Sequence, residues 1–303
     1  MIRPLYFVAG SADVLYQVAI NACLNYGDPV APRGQPTHEL LGPTFVLKDA
    51  RKNLITIPDR RLNYAFSVAE WLWMLLGRRD VATIGYFNKN IAAFSDDGVT
   101  FAGAYGPAFR AQLDYVVDVL RRDHDTRQAV LTFWKPAPGP SKDVPCTVSI
   151  QFFIRDGRLH AHGYMRSNDV WLGFPYDLFN FTQLQAYVAA CVGAEVGAYR
   201  HTVGSFHLYD RNRTDAVRVA DSNLIDEAAR SPQLTTLPAD FEAVFEQLAA
   251  DTVLSRHLNP DALASPWGTY ASVLAYRTHR DPSRVRPPYA QLILDQQENA
   301  RAR

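Results

Sequence analysis

"CTVSIQFFIRDGRLHAHGYMRS", Cys146 to Ser167, is rich in β-forming residues in a partly alternating pattern, and "RDG" between Ile154 and Arg158 has the chemistry of a hairpin turn. The segments on either side therefore form an antiparallel pair. Just upstream, "AVLTFW" (129–134) has the same β character, and downstream "AYRHTVGSFHLYDRN" (198–212) returns to alternation as a further strand.

Helical patterns surround these strands. "SADVLYQVAINACLNYG" starts with a capping serine, Ser11, and runs to Tyr26 before a glycine. "NYAFSVAEWLWMLLG", Asn63 to Gly77, is the most strongly helical stretch, apolar nearly all round, and must be deeply buried. "AFRAQLDYVVDVLRRDHDTRQ" is amphipathic, and "FTQLQAYVAACVGAEVG" is a long core helix with Cys191 on its apolar face. Between the first two helices, "DPVAPRGQPTHE" breaks all periodicity and reads as a loop carrying Arg33, either a solvated charge or an anion clamp. From about residue 213 the pattern is helical and mixed, and the polar tail "QQENARAR" is expected to fray. No repeat or low-complexity linker divides the chain, so a single α+β domain over residues 1–303 is expected.

The composition, 48% hydrophobic and 20% charged, supports a well-buried core. Lys plus Arg and Asp plus Glu are both 31, so no overall field favours nucleic acid or a membrane, and an anion site must be built locally. No stretch reaches the roughly 18 apolar residues of a membrane span, and the start lacks the pattern of a signal peptide, which predicts a cytoplasmic protein. Cys23, Cys146 and Cys191 are odd in number and widely spaced, fitting neither a disulfide framework nor a zinc site. No metal is expected.

Four features carry candidate chemistry. Cys146 follows a proline at the entry to a strand, and its thiolate needs a nearby cation; the returning hairpin offers Arg166. "RSND" sets Ser167 and Asp169 beside that guanidinium, a combination suited to a phosphate. His207 and Tyr209 share one face of a strand, where they can reach a sugar hydroxyl. Glu70, flanked by Ala69 and Trp71, and Asp177, among aromatic and apolar neighbours, are carboxylates that must find a partner, bind a proton or face solvent.

"PC" (145–146), "RSND" (166–169), "LGFPYD" (172–177) and "HLY" (207–209), in this order, resemble the thymidylate synthase family. The likeness extends to Arg33, to "AEWLWMLLG" with Glu70, "AYGPAFR" with Tyr105 and "DTRQAVLTFW" with Arg127, and spans roughly residues 12–215; the C-terminal third matches poorly. The resemblance implies a large mixed or antiparallel sheet flanked by helices, in a homodimer whose sheets pack back to back. It implies that Cys146 adds to carbon 6 of a pyrimidine monophosphate, and that carbon 5 then takes a one-carbon unit from 5,10-methylenetetrahydrofolate. Arg33, Arg166 and Ser167 would hold the 5′-phosphate, with Arg127 reaching in from the other subunit. Tyr105 and Glu70 would serve proton transfers through water, Asp169 would face the folate, and His207 with Tyr209 would bind the ribose.

Synthases that act on uracil carry an asparagine at the place of Asp177. Cytosine reverses both demands of that edge, with an amino donor and a ring-nitrogen acceptor, and a carboxyl sharing one proton with the base satisfies both. Asp177 thus points to the cytidylate hydroxymethylase branch, acting on CMP, or dCMP. Such enzymes serve phages that modify their DNA and actinobacteria that build nucleoside antibiotics. The departures agree: Thr147 replaces a usual histidine, Met165 a glutamine and Gln128 an arginine, and Phe94 stands for a tryptophan near the folate. The usual short apolar end that closes over the folate is also missing, which would let water give a hydroxymethyl group. A methylase of dUMP or UMP on the same fold, and an inactive nucleotide-binding homologue, remain alternatives.

Overall fold

The computed structural model describes residues 5–136, 139–224, 229–238, 241, 245 and 263–302. In chain order the elements are β1 (Tyr6–Ala9), α1 (Ala12–Tyr26), β2 (Asp28–Val30), β3 (Thr37–Leu41), β4 (Thr44–Leu47), α2 (Tyr64–Leu75), α3 (Val81–Phe87) and α4 (Tyr105–Arg122). There follow β5 (Val130–Thr132), β6 (Thr147–Arg155), β7 (Arg158–Asp169), α5 (Phe174–Val192), β8 (Glu195–Tyr209), α6 (Arg213–Ala220), α7 (Trp267–His279) and α8 (Tyr289–Arg301).

The β6–β7 hairpin forms as its sequence requires. Asp156 and Gly157 hold positive φ of 51° and 71°, the pair of left-handed residues that matches a two-residue turn to the twist of its strands. From β7 the chain crosses through α5 and returns as β8, parallel to β7. β3 and β4 both pair antiparallel with β8, β1 runs parallel to β4, and β5 closes the far edge, giving a mixed sheet of eight strands. Helices α1, α4 and α5 pack on it, and α2 lies outside them against α5 and α7. Ser11 caps α1 and Asn63 caps α2 through side-chain bonds to Val14 N and Phe66 N. The α+β architecture, a mixed sheet flanked by helices, is the one the sequence predicts.

One feature of the sheet has no signature in the sequence pattern. Buried positions in β7 run 159, 161, 163, 165 and then 168; in β8 they run 197, 199, 201, 203 and then 206, 208; in β6, 147 and then 150, 152, 154. Alternation therefore slips by one residue at the same level of three adjacent strands, where β6 and β7 also shift register between Thr147 and Ser149. Such bulges re-aim side chains. Here the slip leaves the consecutive residues Arg166 and Ser167 both off the core face, and turns Asn168 into the core.

Several expectations need correction. "DPVAPRGQPTHE" is not a bare loop: β2 pairs with β3, which is held in turn by β8, and Arg33 sits in the connecting turn at φ 54°. The long core helix begins at Phe174 rather than near Phe181, because Pro175 occupies its first turn where its missing N–H costs nothing, so Asp177 is already helical. Cys191 is half-buried at the end of that helix rather than in the core. The polar tail does not fray up to Arg301, since Gln296, Gln297 and Asn299 bond Leu62 O, the Tyr276 hydroxyl and Asp59 Oδ1. Part of the C-terminal helical pattern, residues 225–228 and most of 239–262, lies outside the described residues.

Candidate active site

Cys146 stands immediately before β6, half-buried, and the slip in β7 sets Arg166 against it. Arg166 spends Nε on Pro145 O (2.9 Å) and Nη2 on Val144 O (3.0 Å), and Nη2 comes to 3.7 Å from Cys146 Sγ. The guanidinium is thereby locked in place by backbone carbonyls. Burial nevertheless pushes the Cys146 thiol above its ordinary pKa; Arg166 pulls it down, Asp177 and Asp143 add to the rise, and Arg33 opposes it. The nearby cation is present as expected, but alone it does not produce a standing thiolate. Arg33 is exposed, makes no side-chain bond among the described residues, and lies near enough for its charge to act on Cys146. Ser167 is half-buried next to Arg166.

Two carboxyls from two helices meet beyond the thiol. Asp177, in the first turn of α5, accepts at Oδ2 from Asn168 Nδ2 at 2.7 Å, while Oδ1 has no hydrogen-bond partner among the described residues. Burial lifts its pKa to about 7, with Asn168 pulling the other way. Glu70, in the middle of α2, accepts at Oε2 from Asn180 Nδ2 at 2.7 Å; burial and then the Asp177 charge raise it to about 8, against the pull of Asn180. Both residues are partly rather than fully buried. Asn180 Oδ1 is buried and unpartnered, the kind of atom that a bound water or substrate completes. Tyr105, at the start of α4, accepts from Thr147 N at 3.2 Å, and its acidity is suppressed chiefly by burial and then by Cys146 and Asp177. Cys146, Tyr105, Glu70 and Asp177 thus share one electrostatic neighbourhood.

At the end of β7, Asp169 accepts at Oδ1 from Trp171 N (2.7 Å) and Leu172 N (3.2 Å). Its Oδ2 is buried without a partner. Burial raises its pKa, offset by those N–H groups and by His207, which sits opposite it in β8. The rings of His207 and Tyr209 meet edge to face at 5.1 Å, and Arg211 lies 4.0 Å over Tyr209. Phe94, expected near the folate, is not brought to this group: it ends a short turn and is 57% exposed with no ring contact to it. Arg127, expected to serve the other subunit, is exposed ahead of β5, and among the described residues only its carbonyl is bonded, accepting from Gln151 Nε2.

The sequence model described as thymidylate synthase matches residues 15–258. The chain belongs to the thymidylate synthase family. Among curated relatives, a deoxyuridylate hydroxymethyltransferase of Bacillus phage SP01 is 34% identical over 226 residues, which cover 68% of this chain and 59% of the relative. A deoxyuridylate hydroxymethyltransferase of Pseudomonas phage M6 is 36% identical over 188 residues, covering 59% and 53%. The chain thus spans between about half and three fifths of the length of these relatives.

Thymidylate synthase family members use methylenetetrahydrofolate, and the residues present fit such a group: the orphaned Oδ2 of Asp169 offers a buried acceptor to the N–H edge of a pterin. Among the described residues no cluster of His, Cys, Asp and Glu has the make-up of a metal site, and no helix is long and apolar enough to cross a membrane. The reading of the sequence missed Asn168 and Asn180, the partners of the two carboxyls. Asn180 carried a signal, since it lies one helical turn after Asp177 on the same face. Asn168 carried none, because only the bulge turns it inward.

Proposed function

We propose that this protein transfers a one-carbon unit to carbon 5 of a cytidine monophosphate, CMP ahead of dCMP, and that water capture yields the 5-hydroxymethyl product. The single observation that carries this reading is Asp177: a carboxyl whose pKa burial lifts to about 7, with Oδ2 accepting from Asn168 and Oδ1 without a hydrogen-bond partner among the described residues. A protonated carboxyl accepts from the amino group of cytosine and donates to its ring nitrogen 3. Uracil would set donor against donor there, an error that a buried site rejects by orders of magnitude.

In this account Arg33, Arg166 and Ser167 hold the 5′-phosphate, and His207 with Tyr209 holds the ribose. Sγ of Cys146 bonds to carbon 6, the ring π electrons shift toward nitrogen 3, and nitrogen 3 takes the proton shared with Asp177. The same carboxyl that reads the base therefore neutralises charge as the covalent bond forms. The folate supplies a carbon at the oxidation level of formaldehyde. Tyr105 would relay the proton lost from carbon 5; once tetrahydrofolate has left, Glu70, with the open Oδ1 of Asn180, would hold the water that adds to the new carbon, and Sγ of Cys146 would then leave carbon 6 to free the product. The sheet face opposite the helices, with Tyr164 41% and Tyr6 55% exposed, supports a homodimer in which the exposed Arg127 serves the partner's phosphate site.

A second reading, hydroxymethylation of a uridylate, is favoured by the names of the two phage relatives. Turnover of CMP, dCMP, UMP and dUMP in isotopically labelled water separates these outcomes. The expected product is a cytidylate carrying one solvent oxygen; a dominant uridylate rate would refute the base assignment, a methyl product the water step, and the absence of any covalent adduct the enzymatic reading itself.

A further inference from the structure

Behind Asp177 runs a chain of buried groups that the reaction itself does not use. Tyr199 and His201 project from β8 into the core, both fully buried. The Tyr199 hydroxyl is 3.0 Å from His201 Nδ1, His201 Nε2 is 3.0 Å from Asn168 Oδ1, and Asn168 Nδ2 is 2.7 Å from Asp177 Oδ2. Two glycines make room for it at either end. A Cβ on Gly163 would lie 2.5 Å from the Tyr199 hydroxyl, and one on Gly173 would lie 2.7 Å from Asn168 Nδ2 and 3.2 Å from Asp177 Oδ2.

The direction of this chain follows from bond counting. His201 is held neutral, since burial, helped by His162, pushes its pKa down to about 3, so the ring has one N–H for two partners. The Tyr199 hydroxyl has no other acceptor among the described residues, and a buried donor left unmade is expensive. It therefore donates to Nδ1. That places the ring proton on Nε2, which donates to Asn168 Oδ1, and the amide is fixed with Nδ2 toward Asp177.

We propose that Tyr199, His201 and Asn168 are positioning residues that fix the protonation of Asp177: with Oδ2 always accepting, the shared proton must sit on Oδ1. The carboxyl then presents an acceptor and a donor in one order only, the order that the amino group and nitrogen 3 of cytosine require. This rests on the cytidylate reading above. Without the relay the amide of Asn168 can turn over, Oδ2 can take the proton, and the reading edge is reversed in part of the molecules.

The test compares kcat/KM for CMP and UMP in the wild-type protein and in Tyr199→Phe, Asn168→Ala, His201→Leu and His201→Gln. The first three are expected to lower the CMP-to-UMP ratio by roughly tenfold, the worth of one buried hydrogen bond, mainly through the KM of CMP. His201→Gln offers an oxygen and an N–H in the same order and is expected to retain most of the ratio. The pH profile gives an independent reading. The groups that sense Asp177 are Glu70 from α2, Tyr105 from α4, Cys146 ahead of β6 and Tyr199 from β8, and Asn168 is the one that lowers its pKa. Asn168→Ala should therefore move the alkaline limb for CMP upward. A wild-type protein that prefers UMP would overturn the cytidylate reading and the relay with it. A wild type that prefers CMP, with Tyr199→Phe and Asn168→Ala losing both substrates equally or keeping the ratio, would overturn the relay alone.

Discussion

Asn180 Nδ2 lies 2.7 Å from Glu70 Oε2 and ties α5 to α2, three residues after Asp177. This bond offsets only part of the cost of burying Glu70, whose pKa remains at about 8. The folded protein thus keeps a proton that the unfolded chain loses near pH 4.5. Stability from this group is complete below that value and is lost as pH rises through the folded pKa. Glu70→Gln should raise resistance to urea relative to wild type at about pH 8.5, on the order of 2 kcal/mol after allowance for the partial exposure of Glu70, and by little at about pH 5. Urea midpoints across that range check it; a constant difference at all pH values would argue against the assignment.

The thiol makes a second prediction. Because burial outweighs Arg166 and Arg33, Cys146 should alkylate slowly at neutral pH and faster as pH rises past 9. Fully buried Cys23 should stay unmodified while the fold holds. Replacing Arg166 by alanine removes the principal lowering charge, so the rise should move to still higher pH. Mass spectrometry of iodoacetamide-treated protein reads all three, and a fast neutral reaction at Cys146 would show a thiolate already formed in the unliganded cleft.

The contrast between these groups shows what the sequence could carry. The hairpin was legible because Asp156-Gly157 is a local signal, and α1 and α2 were legible because caps and apolar spacing are local too. Carboxylates in apolar runs, Glu70 and Asp177, were flagged by the cost of burying charge, and both indeed carry raised pKa values. Asn168 and His201 were invisible for a different reason. Asn168 turns into the core only because of a one-residue slip shared by three strands, and its partner His201 comes from another strand, 33 residues on in the chain. The helical tail was misread likewise, since its polar residues are held by α7 and by segments more than two hundred residues away.

Arg127 gives the third prediction. Its side chain is exposed and makes no bond among the described residues, and the proposal puts it at the partner's phosphate site. Arg127→Ala and Cys146→Ala proteins should each be nearly inactive, yet unfolding and refolding them together should restore turnover, because one site of the mixed dimer then holds both wild-type residues. Activity that never returns, with dimers formed, would show that each chain builds its phosphate site alone.

The most direct test of the whole account is the ratio of CMP to UMP turnover, measured in competition, for wild type and Asp177→Asn. The account predicts a strong cytidylate preference in the wild type and a swing of roughly a hundredfold or more toward uridylate in the variant, because the amide donates where the acid accepts. An unchanged ratio, or a wild type that already favours uridylate, would contradict it.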